Sequence, residues 1–232
     1  SYRTLLGNGS KYGIKLKYKK QENPNGIAEA FILGESFIGK DPVCLILGDN
    51  ILHGSNLNER LKLIIERTKL NRKGTIFGYE VKDPERYGVI EYDLKGRAIS
   101  IIEKPKKPKS KKAVIGLYFY PNEVIKIAKK IKPSKRGELE ISSVNSHFLR
   151  ANILDIEIID KGFTWLDTGT PESLIEASQF IETIEKRQGI KVGCLEEVAY
   201  EKGYINKKTL LKSALKMKVS SYGQYLLKKY DK

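Results

Sequence analysis

Apolar residues in this chain come in short blocks, and the spacing inside each block indicates an element. Residues 43–47 read Val-Cys-Leu-Ile-Leu without a polar break, the pattern of a short strand buried on both faces inside a parallel sheet. Gly48 ends the run, and Asp49 and Asn50 follow at once. In an open α/β sheet ligands gather beyond the carboxyl ends of the strands. A carboxylate at position 49 therefore stands where a hard cation would be held, although the same pair is also ordinary turn chemistry. Upstream, residues 15–20 alternate in the manner of a strand, and residues 27–37 place Ala28, Ala30, Phe31 and Leu33 on a compact helix. Downstream, Asn56 and Glu59 have the spacing of an N-cap and its reciprocal acid. Leu57, Leu61, Ile64 and Ile65 then share a helix face.

Residues 74–81 predict the next strand, and residues 89–92 and 98–102 a hairpin about the turn Asp93-Leu94-Lys95-Gly96. Residues 113–120 form another apolar strand. Val124, Ile125, Ala128 and Ile131 predict a helix that stops before Pro133, and Leu139, Val144 and Phe148 a second one. Residues 153–159 read as a strand. Thr170 is a good N-cap, with Pro171 and Glu172 in the first turn. Leu174, Ile175, Ala177, Phe180, Ile181 and Ile184 stripe the helix that follows, which ends near Gly189. Beyond residue 191 the pattern is helical throughout. Strands alternating with helices argue for an α/β class: a Rossmann-like mixed sheet flanked by helices, doubly wound with right-handed crossovers. Residues 1–190 are expected to form the main domain and residues 191–232 a helical appendage.

With 232 residues, 40% of them hydrophobic, the chain has the material for a substantial core, which excludes global disorder. No apolar run approaches ~18 residues, so no membrane-spanning helix is expected, and no apolar leader opens the chain. Cys44 and Cys194 fit no metal spacing. Cys44 lies inside the apolar run, where a thiol packs as a small hydrophobe, and a reducing, cytoplasmic setting is the expectation. The net charge of +15 raises nucleic acid as a partner. Its lysines are scattered, however, and the densest run, six between positions 104 and 112, is broken by two prolines with no aromatic between them. A base-stacking groove is therefore not expected.

The polar residues at strand ends fall in five stretches: residues 21–26, Gly48-Asp49-Asn50, Arg86-Tyr87-Gly88, Glu103-Lys104-Pro105 and residues 165–169. Two acids, a lysine, a tyrosine and several glycines suit a sugar phosphate beside a metal-bound nucleotide. Each has a plainer reading: Glu103-Lys104 as a strand-end pair, Tyr87 and Trp165 as core, Arg136 as a solvated residue. Asp49 and Asp167 resist it best, because two acids converging on one rim repel each other without a cation. His53 and His147 have no metal partners in the sequence.

Order and spacing together resemble one family. Gln21…Pro24-Asn25-Gly26-Ile27-Ala28-Glu29-Ala30, Leu47-Gly48-Asp49-Asn50, Asp83-Pro84-Glu85-Arg86-Tyr87-Gly88-Val89, Glu103-Lys104-Pro105, Gly116-Leu117-Tyr118-Phe119-Tyr120, Lys132-Pro133-Ser134, Arg136-Gly137-Glu138-Leu139-Glu140-Ile141, Trp165-Leu166-Asp167-Thr168-Gly169-Thr170 and Leu174-Ile175-Glu176-Ala177-Ser178 are similar to the glucose-1-phosphate thymidylyltransferases. The resemblance runs from Tyr2 almost to the end, including Tyr222-Gly223-Gln224-Tyr225. It implies a Mg²⁺-dependent enzyme that joins dTTP and glucose 1-phosphate into dTDP-glucose and pyrophosphate, for deoxysugar (rhamnose-type) and cell-surface polysaccharide precursors. It implies that Asp49 and Asp167 ligate Mg²⁺ and that Gln21 and Gly26 read the thymine edge. Tyr87, Gly88 and Glu103 would hold the glucose, and Lys104 and Arg136 would face its phosphate. It also implies a homo-oligomer, a tetramer or dimer, with a dTDP-sugar as regulator.

The chain departs from that family at its front. No Gly-x-Gly-x-x-Arg loop occurs in the 232 residues, so the dTTP phosphate cradle is expected to be missing and turnover by these residues alone to be slight. Ser142-Ser143 stands where the family has Thr-Asp. The alternatives are a non-catalytic sugar-nucleotide-binding fragment or paralogue, and a uridylyltransferase of the same fold.

Overall fold

The structure is a computed structural model that describes residues 2–159 and 162–231. The strands are β1 (Val43–Ile46), β2 (Asn50–Gly54), β3 (Gly74–Glu80), β4 (Gly88–Tyr92), β5 (Ala98–Glu103), β6 (Lys112–Tyr120), β7 (Leu154–Ile158) and β8 (Phe163–Asp167). β6 is the spine of a six-stranded sheet. Along one side it pairs with β3; along the other it meets β4 at Ala113 and β1 from Leu117 to Tyr120. β5 closes the hairpin onto β4, and β7 runs parallel to β3. β2 and β8 form a separate antiparallel ribbon.

The uninterrupted apolar pattern of β6 has a simple cause: both of its faces are covered. Val114, Tyr118 and Tyr120 enter one core cluster with Phe31, Val124, Val144 and Phe148. Ala113, Ile115, Leu117 and Phe119 enter another with Ile64, Phe77 and Trp165. A period of two along one strand thus feeds both layers.

Several expectations are corrected. The apolar run at residues 43–47 is not a strand buried on both faces of a parallel sheet. β1 is antiparallel to β6, and Cys44 and Ile46 are exposed while Val43 and Leu45 pack on the core. Among the described residues β1 pairs with β6 alone, and its alternate residues are exposed. The sheet is mixed, yet its pairs are mostly antiparallel, with β3–β7 the parallel one among the described residues. Residues 15–20 form no strand; the Tyr18 hydroxyl donates to the Gly7 carbonyl at 2.6 Å, a local tie that replaces a ladder. The helix expected at 27–37 divides at Gly34 into Glu29–Leu33 and Glu35–Ile38. Asn56 does precede the helix Leu57–Asn71, but with φ 59° and no side-chain cap bond. The hairpin turn is as expected: Asp93 Oδ1 accepts from the amides of Lys95 and Arg97 at 2.9 and 2.8 Å. Thr170 Oγ1 accepts from the Ser173 amide at 3.2 Å at the start of the helix Pro171–Gln188.

By packing, the chain divides into Lys19–Ser173 and a second unit of Ser1–Tyr18 with Leu174–Lys232. The second unit is helical, with Leu195–Glu201, Lys207–Lys216 and Ser221–Tyr230 around Cys194, Ala214 and Leu226. Glu197 accepts from the hydroxyls of Tyr225 and Tyr230, each at 2.9 Å, and from Lys229.

Candidate active site

The acids at strand ends meet because of register. β2 pairs Asn50 with Asp167 of β8, and the Thr168 amide donates to the Asp49 carbonyl at 2.8 Å. Asp49, in the turn before β2, and Asp167, the last residue of β8, thereby stand side by side at the rim of one cavity of about 500 Å³, within the range of small-ligand sites. Tyr87, Gly88, Glu103, Lys104 and Arg136 line the same cavity.

The hairpin supplies the next group. Gly88 opens β4 and pairs with Glu103 at the end of β5; a Cβ at Gly88 would touch Glu103 Oε2 at 3.4 Å. Lys104 has φ 41° and its amide donates to the Tyr87 carbonyl at 2.9 Å. Its ammonium has no carboxylate within 4.0 Å among the described residues. Tyr87 packs edge-on against Trp165 with ring centroids 5.1 Å apart, so both are core and cavity lining at once. Burial, helped by Asp167 and Asp83 and opposed by Arg86, pushes the Tyr87 hydroxyl up to about 12. It therefore remains a hydrogen-bond donor at neutral pH. Glu103 is pushed up by burial first and then by Glu140, while Ser142, Lys104 and Arg136 pull it back.

Arg136 is less free than expected. Its guanidinium contacts Glu138 at 2.7 Å and Glu140 at 3.4 Å. Gln21 and Gly26 are not among the residues lining the cavity. Gln21 Nε2 donates to the Gly26 carbonyl at 3.0 Å and to Glu29 at 2.5 Å. Gly26 has φ 102°, and a Cβ there would lie 2.5 Å from the Leu139 carbonyl oxygen, so this turn requires glycine. Ile27, its neighbour, does line the cavity.

Sequence reasoning gave no role to Asn50, Arg86 or Tyr118, which line the cavity too. Arg86 contacts Asp83 at 2.8 Å and Asp167 at 3.7 Å. Tyr118 is buried, and burial, Glu103 and Asp49 keep its hydroxyl protonated. Their positions beside Asp49 and Tyr87 and inside the β6 motif were the available signal.

The donor chemistry fits a hard cation: two carboxylates, with no group of three or more His, Cys, Asp or Glu side chains assembled for a metal among the described residues. Mg²⁺ is usually held in this way, by one or two carboxylates with water and substrate phosphates completing its shell.

The nucleotidyl transferase family profile matches residues 1–184. The chain is 49% identical over 227 residues to the glucose-1-phosphate thymidylyltransferase of Neisseria gonorrhoeae, covering 98% of this chain and 78% of that one. It is 47% identical over 232 residues to that of Mycolicibacterium smegmatis, covering 100% and 79%. Among solved structures, a Bacillus anthracis protein assigned as a glucose-1-phosphate thymidylyltransferase, in complex with sucrose, superposes with a TM-score of 0.67 at 36% identity, over 77% of this chain and 70% of that one. A UDP-glucose pyrophosphorylase complexed with UDP-glucose gives 0.64 at 25% identity, over 79% and 73%. Taken with the strand-end carboxylates and the sugar-sized cavity, these matches show that the chain belongs to the nucleotidyl transferase family and, within it, to the glucose-1-phosphate thymidylyltransferases.

Proposed function

We propose that this chain transfers a thymidylyl group from dTTP to glucose 1-phosphate, giving dTDP-glucose and pyrophosphate. The observation that carries the reading is the convergence of Asp49 and Asp167 with Glu103 and Lys104 on one cavity. A phosphate oxygen of glucose 1-phosphate attacks the α-phosphorus of dTTP, a new P–O bond forms, and the bond to the pyrophosphate leaving group breaks. A phosphate dianion is already a nucleophile, so the protein's task is positioning and charge neutralisation.

Glu103 accepts from sugar hydroxyls, with Tyr87 and Gly88 flanking the ring. Lys104, whose ammonium has no carboxylate partner among the described residues, is the principal cation for the sugar phosphate; Arg136 assists while tied to Glu138 and Glu140. Asp49 and Asp167 would hold Mg²⁺, which when bound supplies Lewis-acid neutralisation of phosphate charge. Gln21 and Gly26, which lie outside the cavity lining but next to Ile27, are proposed to read the thymine edge.

The test is pyrophosphate release by the full chain with glucose 1-phosphate, Mg²⁺ and either dTTP or UTP. Slow, sugar-dependent release that favours dTTP is the expected result, because the 232 residues hold no Gly-x-Gly-x-x-Arg loop to cradle the triphosphate. Equal or greater release with UTP would replace this reading by a uridylyl transfer, and saturable sugar-nucleotide binding without release by a binding role.

A further inference from the structure

Asn50 connects two distant parts of the chain to one carboxylate. Its Oδ1 accepts from the Gly116 amide at 2.9 Å and from Trp165 Nε1 at 2.7 Å. A backbone amide and an indole N–H are donors only, so the Asn50 side-chain amide has a single allowed orientation. Nδ2 is left to donate to Asp49 Oδ1, at 2.8 Å. An ionised carboxylate is acceptor-only, so the polarity matches at every link.

Each anchor is itself fixed. Trp165 is buried and held edge-on by Tyr79 and Tyr87, with centroids 5.8 and 5.1 Å away. Gly116 sits in the middle of β6, and a Cβ there would lie 2.6 Å from Asn50 Oδ1. The absence of a side chain at position 116 is what lets Asn50 reach the strand.

We propose that Asn50, clamped by Trp165 and Gly116, is a positioning residue that holds the Asp49 carboxylate in the orientation its cation requires. This rests on Asp49 being a cation ligand. One carboxylate oxygen is restrained by Nδ2, which fixes the carboxylate at the cavity rim. Hydrogen-bond partners behind a metal ligand typically contribute about 10- to 100-fold in metal affinity. A purely architectural Asn50, joining β2, β6 and β8, would affect folding without affecting the cation.

Trp165 is the only tryptophan in the sequence, so emission excited selectively in the indole band reports on this network rather than on the tyrosines. The experiment titrates Mg²⁺ into the full chain, read by calorimetry and emission, for the natural sequence, Asp49→Asn, Asn50→Ala and Trp165→Phe. The natural chain is expected to bind Mg²⁺ with a change in emission, and Asp49→Asn to lose both. Asn50→Ala, folded by circular dichroism, should bind about 10- to 100-fold more weakly and lose the emission change. Trp165→Phe keeps an aromatic ring and removes the indole donor; calorimetry should show a smaller weakening. Unchanged Mg²⁺ affinity in folded Asn50→Ala overturns the inference. Should that variant not fold, unchanged affinity in Trp165→Phe does so. Unchanged affinity in Asp49→Asn, or no Mg²⁺ uptake by the natural chain, is a separate result that refutes Asp49 as ligand and removes the inference with it.

Discussion

Glu197 in the helical unit and Asp167 at the end of β8 are both carboxylates drawn partly out of water, yet their surroundings differ. Burial alone would push the Glu197 carboxyl up; Lys229, Tyr225 and Tyr230 donate to it and hold it below the usual carboxylate range. Its acceptor capacity is spent on its own chain. Asp167 accepts from the Gly169 amide at 3.1 Å and from the Tyr87 hydroxyl, and has Arg86 at 3.7 Å. Asp49 has Asn50 as its hydrogen-bond donor. Protein donors close the first site and leave the second with acceptor capacity to spare. A completed network stabilises the fold, whereas an incomplete one on a cavity rim is chemistry awaiting a ligand.

The largest effect expected from this contrast is at the incomplete site. Asp167→Asn should lower thymidylyl transfer by on the order of 10²- to 10³-fold, the scale of a lost electrostatic partner in a transition state, with the melting temperature nearly unchanged. Steady-state pyrophosphate release and a thermal melt check it together; a large loss of stability would erase the contrast. Gly116→Ala should cost about 1–3 kcal/mol by forcing Asn50 off β6, read by urea unfolding.

At the closed site the direction reverses. Glu197→Gln should cost about 1–3 kcal/mol of stability and leave turnover close to natural. Because the folded Glu197 pKa is depressed, its contribution is present above the unfolded value near ~4.3 and is lost as pH falls through the lower folded value. Melting temperature should therefore decline below pH ~4.3 in the natural chain, and by less in Glu197→Gln. The smallest effect belongs to Glu140→Gln. Removing that charge lowers the raised Glu103 pKa, so the acid limb of kcat/KM should move to lower pH. A profile that stays in place would show that Glu103 protonation does not limit sugar binding.

Much of the architecture was legible because it is local. The β4–β5 hairpin follows from Asp93 and Gly96 flanked by apolar alternation, and the helix at Pro171 from Thr170 and the stripe beyond it. Chemistry-bearing stretches such as Glu103-Lys104 were legible for the same reason. The surroundings of β1 were not: an apolar run of five does not reveal that Cys44 and Ile46 would be exposed. Nor was the freedom of Lys104 compared with Arg136, since the acids that engage Arg136 are set by how residues 134–140 turn.

By itself the sequence determined where most of the strands and helices form, the glycines that its turns demand, and a set of motifs sufficient to place the chain in its family. These depend on near neighbours and on periodicity. Tertiary structure alone decided that β6 is the spine, that Gln21 and Gly26 pair with each other outside the cavity, and that Asn50 is gripped from 66 and 115 positions away. Hydrogen bonds of such separation exist only once β2, β6 and β8 are in register. The orientation of Asp49 is therefore a property of the fold, while the presence of a carboxylate there is a property of the sequence.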